Sequence, residues 1–415
     1  MGKIKKKASH YRKPEKSVKD ERQVMSFEQL PLDEYENQEK TSPPLDKKRI
    51  LIAVLILAAL VLSVLLYFTG GALSSCTGCS VKSEGEERFS AGITGSTLDA
   101  GNLRLLSDGV CYASDTDFVS LDKNGNIRYS EQHGLSHPIL RTKGGKAIAY
   151  DLSSNSYSVY SASGRDFTLE AEKKIFLADI TSEGIYALVT ETMGYNAKLS
   201  VYDADHSLMF AYSFADYYVT SMALNSSGTG AVVCGASAQD GVRTSAVYVL
   251  DFTKEEPVAK HIISEDTVFD CDYLSSRSLC AIGSKGAYIC SGKGFSRIEK
   301  VSYNGMSLTA YDLNSDVGVA VVSLSRSGDG RNCNLEYINS SGKIEKTIET
   351  DLGVTSVSTY KDRVAVSDYR GISLYRSNGS LVTSYKLSTN CKQVRLFSAS
   401  GVYILGLDSI LSVSL

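Results

Sequence analysis

The run Phe118-Val-Ser-Leu-Asp-Lys-Asn-Gly125 is an apolar strand that ends on an acidic residue and breaks at Asn-Gly. The same unit returns as Tyr157-Ser-Val-Tyr-Ser-Ala-Ser-Gly164 and as Leu199-Ser-Val-Tyr-Asp-Ala-Asp-His206. It returns again as Leu335-Glu-Tyr-Ile-Asn-Ser-Ser-Gly342 and as Ile372-Ser-Leu-Tyr-Arg-Ser-Asn-Gly379, with more divergent copies at 247–251 and 287–294. β-Branched and aromatic residues suit a pleated strand, and Gly or Asn at the break supplies the positive φ of a tight hairpin. The turns fall near 125, 164, 206, 254, 294, 342 and 379, about 42 residues apart, the length of a four-stranded propeller blade.

Two further strand-like runs precede each unit. First strands begin near 103, 138, 175, 218, 268, 306, 354 and 391. The spacing predicts an all-β domain over 88–415, a β-propeller of about eight four-stranded blades, with seven as the alternative count. The eighth blade has three strands of its own, 391–397, 401–407 and 409–414. The strand-like run 88–93 is unpaired before the first blade and is expected to supply the missing outer strand, which would close the ring and remove an exposed edge.

Ahead of this domain, residues 50–68 read ILIAVLILAALVLSVLLYF without a charge. At about 1.5 Å per residue such a run approaches the ~30 Å hydrocarbon core of a bilayer, so 50–70 is expected to be a transmembrane helix. Lys47, Lys48 and Arg49 abut its start, whereas Lys82 is the first charge after it. The positive-inside rule then puts residues 1–49 in the cytoplasm and the propeller outside, a single-pass protein of the cell membrane joined by a linker at 71–87. Signal-peptide cleavage near Ala72-Leu73-Ser74, or acylation of Cys76, are the rival readings of this region. The tail holds 13 basic and 9 acidic side chains and almost no apolar periodicity, and it is expected to be disordered. With a net charge of −3 overall, the rest of the chain is acidic, which argues against nucleic acid as a partner.

The repeat texture over 88–415 resembles the WD40-like and quinoprotein-like propellers. With its anchor, the whole chain is similar to uncharacterised membrane-anchored propeller proteins of Gram-positive bacteria, a family of unknown function. The resemblance implies a fold and no activity. Trp is absent, so neither the Trp-Asp pair of WD40 blades nor the Trp docking motifs of quinoprotein blades are present. No cofactor is therefore carried over.

Catalytic and metal signals are sparse. Of five histidines, His133 and His137 have a helical metal spacing but fall in an inter-blade connection. No Gly-x-Ser-x-Gly elbow occurs. Asp122-Lys-Asn-Gly-Asn126 is faintly like a calcium loop, yet a hairpin turn accounts for each residue. Nine cysteines include Cys76-Thr-Gly-Cys79, a candidate disulfide or lipidation site, and Cys271, Cys280 and Cys290. The last three fall on successive strands and are expected to face one another in a row, as packed thiols or a cross-strand pair.

Three second-to-third strand loops are long, at 192–197, 236–244 and 325–332. Such loops open on one face of a propeller, and they carry Met193, Tyr195, Gln239, Asp240, Arg243, Arg326, Asp329 and Arg331 as a candidate partner-binding rim. The sequence thus favours a non-enzymatic binding or scaffolding module that engages a protein or glycan outside the membrane. The alternative is an enzyme acting on a cell-envelope polymer with carboxylates in the central funnel.

Overall fold

The structure is a computed structural model and describes residues 85–415 apart from 153, 240, 329, 370 and 389. The tail, the apolar run 50–70, Cys76 and Cys79 lie outside the described residues. Among the described residues no helix is long and apolar enough to cross a membrane.

Eight antiparallel four-stranded sheets form an all-β propeller. Blades 1 to 7 span 103–132, 138–170, 175–214, 218–264, 268–302, 307–349 and 356–386, each with its strands in chain order. Blade 8 takes Gln393–Leu396, Gly401–Leu405 and Ser409–Ser414, and its outer strand is Glu86–Gly92. That strand runs antiparallel to the last, with Glu86 opposite Ser414 and Gly92 opposite Ser409. The expected closure is therefore present, its strand beginning two residues earlier than the run 88–93. Phe89 fixes the joint by packing over Tyr403, with centroids 6.1 Å apart, and against the turn at Gly125.

The recurring unit has a common local cause. Asp122 Oδ1 accepts hydrogen bonds from the backbone N–H of Asn124 (2.8 Å) and Asn126 (2.9 Å). Asp203 does the same for Asp205 and Ser207, and Asn339 for Ser341 and Lys343. Each side chain replaces a backbone acceptor and so closes the third-to-outer turn. The eighth residue of the unit sits at positive φ in four of the five quoted copies, 83° at Gly125, 83° at Gly342, 92° at Gly379 and 66° at His206. Gly164 does not, because there Ser161 pairs directly with Gly164 in a tighter hairpin. The calcium-like segment at 122–126 is this turn.

Second strands are buried on both faces, as in Gly109–Ala113 and Ser278–Gly283, and with most of the third strands form the layers between neighbouring blades. Outer strands alternate between water and the sheet beneath. Innermost strands alternate apolar residues, wedged between blades, with polar residues turned to the central channel. Antiparallel order puts second-to-third loops and inter-blade connections on one face, called upper here. The remaining turns lie on the lower face.

Candidate functional site: the channel and the two faces

Six of the first strands bring one or two charged residues each to the centre of the ring. Four are basic: Arg395 from blade 8, Arg104 from blade 1, and Arg141 and Lys143 from blade 2. Four are acidic: Asp179 from blade 3, Asp270 and Asp272 from blade 5, and Asp312 from blade 6. The channel they line encloses about 430 Å³. The bases occupy three consecutive blades and the acids lie around the remainder of the ring, so a field runs across the channel rather than cancelling within it.

The two signs differ in how they are satisfied. Asp270 accepts from Ser221 Oγ (2.9 Å) and Tyr311 OH (2.8 Å). Asp179 Oδ2 accepts from the Leu224 N–H (2.8 Å), and Asp312 Oδ2 from the N–H and hydroxyl of Thr359 (2.7 and 2.6 Å). Arg395 reaches Asp312 at 3.6 Å. Arg104 and Arg141 form no hydrogen bond or ion pair among the described residues, and Nε of both Arg104 and Arg395 is buried without an acceptor. Burial, then the charges of Arg395 and Arg141, push the Arg104 guanidinium down to about 9. Burial raises the carboxyls of Asp179 and Asp312, and lifts Asp272 to about 7.

On the lower face, turns of blades 4, 5 and 6 surround a cleft of about 1040 Å³. Lys143, Leu224, Asn225 and Asp272 line both the cleft and the channel, so the two spaces meet. Phe295, held at φ 57°, forms one wall; its carbonyl accepts from His261 Nε2 (2.7 Å) and its ring meets Tyr273 edge-on at 6.0 Å.

The sequence-derived rim lies on the upper face but is not one patch. Met193 and Tyr195 stand on blade 3, 86% and 53% exposed. Arg243 is exposed on blade 4. Arg326 and Arg331 are exposed on blade 6, beyond the short loop of blade 5, and Arg326 is held by Glu349 at 2.8 Å. Asp240 and Asp329 lie outside the described residues, as does the side chain of Gln239. The segment 236–244 corrects the loop expectation. Gly230–Gln239 and Val242–Asp251 remain paired to Gln239 opposite Val242, and they form a hairpin arm turned at Gly241, φ 79°. The sequence reading missed Val242 at the tip of this arm, and Tyr218 (67% exposed) and Phe269 beside it on blades 4 and 5. For Tyr218 and Phe269 an aromatic at the mouth of a first strand was the available signal.

The expected cysteine row is also corrected. Register pairs Cys271 with Ala281, Cys280 with Ile289 and Cys290 with Leu279, so the thiols alternate faces. Cys271 and Cys290 pack toward blade 4 with Cys234, while Cys280 packs toward blade 6. All seven cysteines within the propeller are free and buried. His133 uses both ring nitrogens for local contacts, Nε2 with the Ser114 carbonyl of blade 1's second-to-third loop (2.9 Å) and Nδ1 with the Leu135 N–H of its own connection (3.0 Å).

BamB from Moraxella catarrhalis is similar in fold at 14% identity, TM-score 0.51, covering 80% of this chain and 97% of its own. Sqt1 from Saccharomyces cerevisiae is similar at 9% identity, TM-score 0.57, covering 78% and 98%. Both likenesses concern architecture alone. No curated protein matches the sequence. A family model described as a family of unknown function (DUF5711) matches residues 87–415, the propeller with all but the first residue of its closing strand, and the chain belongs to that family.

Proposed function

We propose that this chain is a non-enzymatic binding and scaffolding module. Its propeller would be presented outside the membrane by the apolar segment 50–70 and would engage a protein partner through the upper face of blades 3 to 5. One observation carries the reading. Met193, Tyr195, Tyr218, Val242 and Phe269 are all exposed on that face of three consecutive blades, around the hairpin arm. Exposed apolar and aromatic groups gathered on one face mark docking surfaces, and buried tyrosines dominate the energy of such contacts. A protein partner uses these groups better than a glycan would, because the patch offers apolar area and few charged donors. The test is pull-down from intact, crosslinked cells with the full-length chain and with a Met193→Asp/Tyr218→Asp variant. A defined partner captured by the first and lost by the second is expected; equal capture by both contradicts the reading.

A second reading, an enzyme acting on an envelope polymer, is favoured by Asp272. Its carboxyl, lifted to about 7, sits where the channel meets the lower cleft, a position suited to proton transfer. It requires polymer turnover that Asp272→Asn abolishes.

A further inference from the structure

We propose that the central channel is a binding site for a small solute with an oxyanion head, carboxylate or phosphate, held by Arg104, Arg141 and Arg395. These guanidiniums come from the first strands of blades 1, 2 and 8, which are neighbours in the closed ring. Like charges gathered in a partly buried channel repel, and a buried donor left without an acceptor, as Nε of Arg104 and of Arg395 is, destabilises the fold. Among the described residues only Asp312 pairs with one of them, Arg395 at 3.6 Å; Asp270 and Asp179 act on Arg141 by charge but form no ion pair with it. Asp270 and Asp179 are instead engaged by Ser221, Tyr311 and the Leu224 N–H. The acids are thus satisfied by the protein, while the guanidiniums keep their donors for something else. Planar, forked guanidiniums match the paired oxygens of a carboxylate or phosphate.

The aspartates opposite limit what fits. A second anionic group on the solute would face Asp270 and Asp272 across the channel, so a single anionic head with a neutral or cationic remainder is preferred. About 430 Å³ accommodates a small metabolite and not a polymer. The lower cleft, which shares Lys143 and Asp272 with the channel, is the route in. This site is separate from the upper-face patch and does not depend on it.

The test is equilibrium dialysis of the detergent-purified full-length chain against labelled inorganic phosphate and, separately, labelled acetate, with chloride holding ionic strength constant. Thermal unfolding is followed alongside. Saturable binding of either probe, weakened at least tenfold in Arg104→Met and in Arg141→Met, is expected, and the probe that binds identifies the head group. Arg104→Met should also unfold at a higher temperature than the wild type in probe-free buffer, because it removes an unsatisfied charge. Saturable binding of neither probe overturns the proposal. So does binding that both substitutions leave unchanged, or an Arg104→Met chain that is folded yet less stable without probe, since the charge would then serve the fold.

Discussion

Asp122 and Asn339 sit on different blades and close the same turn with the same side-chain oxygen. That turn then demands a left-handed residue, and glycine meets the demand at 125, 342 and 379. At 342 a Cβ would lie 2.8 Å from Glu299 Cγ, so crowding adds to backbone strain. Gly342→Ala is expected to lower stability by about 1–2 kcal/mol in denaturant unfolding, with an unchanged slope. His206 tolerates the conformation because its ring packs on Phe167 at 4.0 Å. Asp272 has the opposite character. Its folded-state carboxyl, raised by burial from 3.8 to about 7, binds a proton that the unfolded chain has already released. Its contribution to stability is therefore complete below about pH 4 and is lost as pH rises toward 7. Asp272→Asn should flatten the stability profile across that window, measured by thermal unfolding from pH 4 to 8; a profile unchanged by the substitution would contradict the assignment.

Strands were legible where composition and period agreed. First strands observed at 103, 138, 175, 218 and 268 begin where the sequence predicts, and those at 307, 356 and 393 begin one or two residues later. The hairpin arm was not legible, because Gly235-Ala236-Ser237-Ala238 has the small, polar composition of a loop. Its strand character comes from the facing strand, whose residues 242–251 keep every pairing in register. The closing strand was legible through arithmetic, a three-stranded last blade and one spare strand at the start. Phe89 is the apolar anchor of that strand, half-buried against Tyr403 and the turn at Gly125. Phe89→Ala is expected to cost about 2 kcal/mol, below the roughly 3–5 of a fully buried ring. It should also speed proteolysis within 86–92 relative to the other outer strands; equal cleavage rates would argue that closure rests elsewhere.

At the scale of the ring, the count of eight followed from one period, but the channel did not. Six of the eight first strands contribute one or two charges to the channel, as in Leu103-Arg104-Leu105 and Val394-Arg395-Leu396, and nothing local says that these face one another. Closure alone brings residues 104 and 395 to adjacent blades. The cysteine row failed for a related reason. Counting strands located the thiols, yet a one-residue difference in register turns a side chain to the other face. The upper-face patch likewise joins residues from three blades. A photoreactive residue placed singly at Met193, Tyr195 and Tyr218 of the full-length chain, with Ile127 on blade 1 as the exposed control, tests its role in intact cells. The account predicts a shared protein crosslink at the first three positions and none at Ile127. Crosslinks at Ile127 alone, or none at any upper-face position, would contradict it.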